Sequence, residues 1–425
     1  MKSPYRKTTL DNGIRVVTYN MPQKQSVALG VWIKAGGRYE TKENKGIAHF
    51  LEHMCFKGSK KYSCRKLKES IEGVGGSLNG FTSEELTCYL AKLPWRHFAL
   101  ALDVLCDMSI NPVLAAEEIE KERAVILEEI KMYRDLPQSY VHDLLDELLW
   151  PAHPLGMSIV GYAESVAKTG QEDLRFFKDR HYTPANITIS ACGKLNHSGL
   201  LKSLENIFSR LKTGKANVST GVCEKQAQPQ LKILPKDTEQ THLALGFHGF
   251  KRDHRLKYAL GLLHVILGAN MSSRLFEELR EKRGLAYEIG TQVKCFQDTG
   301  AFVVHAGIDN LKAGQAIELI LKELAKIKNE LVSSDEYNRA KEFYLGQLSL
   351  ALEDTLDHML WIGDSTAALD KTYSLGEVIK EVSRIKRQDI RTVARGIFKE
   401  QSLNLALIGP LENKKREIGG VLHLD

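Results

Sequence analysis

The order of predicted elements constrains this chain most, because the second half of its 425 residues replays the first. Strand-like runs at 13–19 and 27–35 lead into helical periodicity at 47–56, 63–74 and 98–108, with a strand at 86–92. Helices at 115–133 and 140–149 follow, and a strand over 187–192 closes on Gly193. Residues 213–230 are small, polar and aperiodic, which predicts a linker. Beyond it, strand-like 231–234 and 243–247 precede helices at 258–267 and 273–283, strands at 286–293 and 301–308, and long helices at 311–331 and 334–352. The close, 402–409, is again a strand ending in glycine. Two copies of one unit explain both the length and the echo. The expected class is α+β: homologous domains over 1–212 and 231–425, each an antiparallel sheet with packed helices.

Composition supports two cores, with 43% hydrophobic and 26% charged residues. The net charge of +6 is interspersed, and the densest basic run, 57–68, is short and broken by polar residues. That argues against a nucleic-acid surface, which concentrates its charge. Seven cysteines form no C-x-x-C pair, and an odd number leaves one unpaired in any disulfide scheme; a reducing compartment is expected, with Cys55 in a packing role. The first twelve residues lack an apolar signal core, and no apolar run approaches the roughly 18 residues of a membrane span. A soluble, cytoplasmic protein with no membrane partner is the expectation.

Projected at 100° per residue, the segment from Ile47 to Met54 places Ile47, Phe50, Leu51 and Met54 on one stripe facing a core. His49, Glu52 and His53 lie opposite. Imidazoles at i and i+4 can aim at one tetrahedral metal, and zinc takes neutral imidazole while leaving a position open for water in a catalytic site. Glu52, beside these ligands, could accept a proton from that water. The bland alternative is a pair of surface histidines.

A third ligand could come from the acidic helix that includes Glu117 to Lys131. Its apolar stripe runs through Ile119, Ile126, Ile130 and Tyr133; Glu122 and Glu129, seven apart, flank it on one side, whereas Glu128 points away. Glu129 is therefore the candidate ligand and Glu122 a carboxylate that could orient a ligating histidine. An acidic solvated helix is the competing reading. Other catalytic classes lack their motifs. Gly73, Gly75 and Gly76 fail the G-x-G-x-x-G pattern because position 78 is Leu, and neither a P-loop lysine nor a G-x-S-x-G elbow occurs.

The inverted motif His49-Phe-Leu-Glu-His53, the glutamate 76 residues beyond it and Glu122 seven before that resemble the pitrilysin (M16, inverzincin) family of zinc metallopeptidases. Within that family the chain looks like the bacterial homologues of the mitochondrial processing peptidase. The resemblance extends over residues 10–17, 75–83 and 182–186, and over 279–287, which is similar to the family's Arg and Tyr pair. It implies a metallohydrolase fold of two similar α+β domains, and zinc held by His49, His53 and Glu129 with Glu52 as general base. Arg280 and Tyr287 would serve as a substrate-side pair, and an extended peptide would add to the strand at Asn79, Gly80, Phe81 and Thr82. One chain holds only half of a clamshell chamber, so a homodimer cleaving unfolded peptides is implied. The alternative is a catalytically silent scaffold or regulatory subunit paired with a related chain, although all four motif positions are intact. Asp143, Asp146 and Glu147 could favour basic peptides, but a solvated helix face accounts for them more simply.

Overall fold

The computed structural model describes residues 4–209, 211 and 213–424. The chain opens with strands β1 (Arg6–Thr9), β2 (Arg15–Asn20) and β3 (Ser26–Ile33), then helices α1 (Ile47–Cys55) and α2 (Cys64–Glu72). Strands β4 (Ser77–Thr82) and β5 (Thr87–Pro94) precede helices α3 (Phe98–Ile110), α4 (Ala116–Asp135) and α5 (Pro137–Leu149). Helices α6 (Ala163–Lys168) and α7 (Gln171–His181), strand β6 (Ile187–Gly193) and helix α8 (His197–Phe208) complete the first half. The second has β7 (Gln230–Pro235), β8 (Thr241–His248), α9 (Lys257–Gly268), β9 (Ala286–Cys295), β10 (Gly300–Ile308), α10 (Ala313–Asn329) and α11 (Ser334–Ala351). It ends with α12 (Thr355–Leu369), α13 (Leu375–Arg384), α14 (Arg387–Ile397), β11 (Asn404–Gly409) and α15 (Lys415–Gly420). Among the described residues no helix is long and apolar enough to cross a membrane.

These elements form two compact units that are not contiguous in sequence. The first takes the chain up to Lys131, Met157–Thr220 and Leu348–Leu375; the second takes Met132–Gly156, Gly221–Gln347 and the chain from Gly376. In the first, the sheet order is β1-β2-β6-β3-β5-β4, leaving β4 as an edge. Val27, Leu29, Val31 and Ile33 of β3 join the core shared with α1, α3, α7 and α8, while Ala28 and Trp32 face Met359 and Ala367 of α12. A strand covered on both faces needs an uninterrupted apolar run, and SVALGVWI supplies one.

The second unit repeats the arrangement with a sheet ordered β7-β11-β8-β10-β9. Here α5 covers one face, where Val141, Leu144, Leu145 and Leu149 meet Ala244, Val303, Ala406 and Ile408. Each sheet is thus roofed by a helix drawn from the other half of the sequence.

Several sequence expectations are refined. The α+β class holds, but the sheets are mixed, since β2 pairs with β6 and β7 with β11 in parallel. In each unit the closing strand returns after helices and can insert beside an early strand in either direction, which a hairpin could not do. The segment 213–230 holds one division between the compact units, after Thr220, but it does not separate them by itself, because 132–156 and 348–375 change sides. The expected domain ends at 1, 212 and 425 lie outside the described residues. Where a helix was expected over 273–283, residues Phe276–Glu281 form a π-helical turn. Helices α12 to α14 occupy a stretch where no element was expected. The buried stripe of α12, Thr355, His358, Met359, Ile362, Gly363, Thr366 and Ala367, is made largely of polar and small residues, so the spacing of apolar residues does not reveal it. Asp146 and Glu147 are ion-paired with Lys294 and Lys232 of their own unit, the first pair largely buried and the second half-exposed.

Candidate metal centre

Helix α1 buries Ile47, Phe50, Leu51 and Met54 completely or nearly so, and turns His49, Glu52 and His53 toward α4 and β4. One turn separates the imidazoles, whose ring centroids lie 4.5 Å apart. Packing of α4 through Ile119, Ile126 and Ile130 then presents Glu129, and one ligand atom from each of His49, His53 and Glu129 lies within 4.8 Å of the others. Glu129 Oε2 is 3.8 Å from His49 Nε2 and 3.7 Å from His53 Nε2. Glu128 points outward, ion-paired with Lys131.

These residues suit a zinc ion. Two imidazole nitrogens and one carboxylate oxygen converge, which is a three-ligand set with room for a fourth, non-protein ligand. Their orientation is set from behind. His53 Nδ1–H donates to Glu122 Oε2 at 3.0 Å, which places the lone pair on Nε2, facing the convergence point. Glu122 is 5% exposed and also pairs with Lys57, so its ionised form has a fixed counter-charge. A carboxylate behind a ligating imidazole both selects its tautomer and raises its basicity. Lys57 was not singled out from the sequence, where it reads as one more residue of a basic run. Burial, reinforced by His53, pushes His49 down to about 3, so at neutral pH it carries the free lone pair that a metal requires.

Glu52 lies beside these ligands, and Thr82 Oγ1 donates to its Oε2 at 2.9 Å. Burial raises its pKa, opposed by the Thr82 hydrogen bond and by His53. Glu129 is also raised, chiefly by burial and against the effect of His53. The β4 strand therefore touches the site through one of its faces. Leu78, Gly80 and Thr82 are half-buried, whereas Ser77, Asn79 and Phe81 are exposed. A side chain at Gly80 would place its Cβ 3.0 Å from the Phe56 ring and 3.1 Å from Glu52 Oε1. Only a residue without one leaves this approach open. Phe81 leans the other way, 5.8 Å from the Trp32 ring.

In the second unit the π-helical turn brings Arg280 back over two rings, 4.9 Å from the centroid of Phe276 and 5.3 Å from that of Tyr287. Tyr287 is 73% exposed at the start of β9. Arg280 and Tyr287 are thus neighbours, and Phe276 is a third member that spacing alone did not suggest.

The chain resembles known proteins over nearly its whole length. The family model described as insulinase (peptidase family M16) matches residues 15–162, and that of the peptidase M16 inactive domain matches 170–344. YmxG of Bacillus subtilis strain 168, an uncharacterized zinc protease, is 39% identical over 409 residues, covering 96% of this chain and 99% of that protein. An uncharacterized zinc protease of Streptomyces coelicolor is 33% identical over 416 residues, covering 96% of this chain and 90% of that one. In fold, a protease from Helicobacter pylori has a TM-score of 0.90 at 24% identity, over 96% of this chain and 99% of its own. A peptidase M16 inactive domain from Pseudomonas fluorescens has a TM-score of 0.88 at 18% identity, over 96% and 98% of the two chains. The first matched span contains His49, Glu52, His53, Glu122 and Glu129, and the second contains Arg280 and Tyr287. With identity sustained across both halves, the chain belongs to peptidase family M16.

Proposed function

We propose that the protein is a zinc-dependent endopeptidase that cleaves unfolded peptides, with Glu52 as its general base. The convergence of His49, His53 and Glu129 beside a buried carboxylate carries this reading. Zinc at that point would act as a Lewis acid toward a water and the scissile carbonyl. Glu52, held by Thr82, accepts a proton from the attacking water as its oxygen bonds to the carbonyl carbon. When the C–N bond breaks, Glu52 returns that proton to the departing amine. Burial supports this second role, since a carboxyl with a raised pKa holds a proton long enough to deliver it. The exposed Tyr287 hydroxyl donates to the carbonyl oxygen as negative charge develops, and Arg280 steadies the ring from its face.

The peptide runs extended along the free edge of β4, pairing with its backbone while its side chains meet Asn79 and Phe81. An edge strand reads backbone, which only an unfolded segment can offer. The working form is a homodimer closing around the substrate, and native mass measurement tests it; obligate association with a different chain would instead favour a subunit role. The decisive experiment on mechanism is Glu52→Gln. Zinc content measured by atomic absorption should stay at the wild-type level while turnover of a mixed peptide library falls by roughly 10³-fold or more. Retained turnover removes Glu52 from the mechanism, and a wild-type protein without zinc removes the metal reading.

A further inference from the structure

Helix α1 is only nine residues long, and His49 sits in its first turn. Fraying of that turn would displace a metal ligand directly, yet the sequence provides no ordinary cap. The N-cap residue is Gly46, at φ +95°, with no side chain to accept from the free amides. The acceptor comes from outside the helix. Glu40 receives the Ala48 N–H on Oε1 at 2.8 Å and the Gly46 N–H on Oε2 at 3.1 Å. Lys45 Nζ lies 3.1 Å from the same Oε2 and donates to the Gly37 carbonyl at 2.8 Å. Both side chains of this pair are wholly inaccessible to solvent.

A buried ion pair is a poor source of net stability, since desolvation of both charges offsets their attraction. Its value lies in geometry: two oxygens in a fixed fork hold two amides of one turn, and an anion at a helix N-terminus complements the helix dipole. The loop carrying Glu40 is itself anchored to the hairpin beyond β4. Gly37 N–H donates to the Ser83 carbonyl at 3.1 Å, Arg38 N–H to that of Glu84 at 2.7 Å, and Arg38 Nη1 to Glu85 Oε1 at 2.7 Å. Thr82, which holds Glu52, immediately precedes that hairpin turn. One loop thus fixes the start of the metal helix and the end of the strand beside it.

We propose that Glu40, with Lys45 as its counter-charge, is a positioning residue for the metal centre, setting the placement of His49 through the first turn of α1. This rests on the zinc reading above. Two variants test it in the full chain. Glu40→Asp keeps the charge opposite Lys45, and so the fold, but withdraws the oxygens by one methylene. Glu40→Gln combined with Lys45→Met removes both buried charges and leaves a single acceptor. Zn²⁺ affinity by chelator competition should fall on the order of tenfold in the double variant and by less in Glu40→Asp. The Ala48 and His49 amides of the metal-free protein should exchange faster with deuterium, and kcat should fall with KM unchanged. Leu204→Ala, in the core of the same unit, serves as a control for general destabilisation and should leave Zn²⁺ affinity untouched. Unchanged affinity in either variant that folds, or an equal loss in the Leu204 control, overturns the proposal. A wild-type protein that binds no Zn²⁺ overturns the zinc reading instead, and the amide exchange still reports whether Glu40 holds the helix.

Discussion

Glu129 faces the histidines and Glu128 faces solvent for one reason: 100° of helical rotation separates them, and Ile119, Ile126 and Ile130 fix which side of α4 is buried. That choice is legible in the sequence because it depends on local periodicity alone. Lys57, Thr82 and Glu40 are not legible in the same way, since their partners are 65, 30 and eight residues away and are met through packing of separate elements. Gly80 illustrates the consequence. Gly80→Ala would press a methyl against Phe56 and Glu52, and kcat should drop by about tenfold with zinc retained, read by steady-state kinetics and metal analysis. His142 in the second unit makes a prediction about acid stability. Burial, with Lys294 and His305 adding to it, pushes it down to about 4 from the ordinary value near 6.5. Between those values the unfolded chain binds more protons than the native one, so stability falls as pH drops from 6.5 toward 4. Replacing His142 by Phe should remove up to about 2 kcal/mol of that loss, measured as the difference in urea stability between pH 7 and 4.5.

At the scale of elements, covered strands could be anticipated because they require a continuous apolar run, as in β3, whereas the exposed, polar β1 carries no such run and was not expected. Helix α12 could not be anticipated either, since its buried stripe is carried largely by Thr355, His358, Gly363 and Thr366 and leaves no apolar period of the kind that marks an amphipathic helix. Its approach to the sheet depends on a missing side chain. A Cβ at Gly363 would lie 2.3 Å from Trp32 Nε1 and 2.6 Å from Ser190 Oγ, two atoms already joined by a 2.8 Å hydrogen bond. Gly363→Ala should therefore lower the stability of the first unit by about 1–3 kcal/mol in urea denaturation, despite the usual advantage of Ala over Gly within a helix. The π-helical turn belongs to this scale too. Lys282 N–H reaches back to the Glu277 carbonyl at 3.0 Å, and Gly284 at φ +57° ends the turn, so Arg280 lies over both rings. Ordinary helical periodicity over 273–283 predicts an α-helix there, because a widened turn leaves no mark in the spacing of apolar residues.

For the whole molecule, the exchange of α5 and α12 between sequence halves makes each half dependent on the other for its roof. Chains cut within 213–230 and expressed separately should each leave one sheet face bare and aggregate, whereas co-expression should restore soluble protein, checked by size-exclusion chromatography. A linker placed by composition marks one of the divisions between the compact units, after Thr220, but not the others, where 132–156 and 348–375 change sides. By itself the sequence determined the two-part α+β plan, the helix with an unusual polar face and the glutamates at its reach, because each is written in spacing along one element. Tertiary structure alone decided which helix roofs which sheet, how Arg280 is seated and what holds α1 in place. Those depend on contacts between residues far apart in the chain, and the free energy that selects them is shared among many side chains that no local period records.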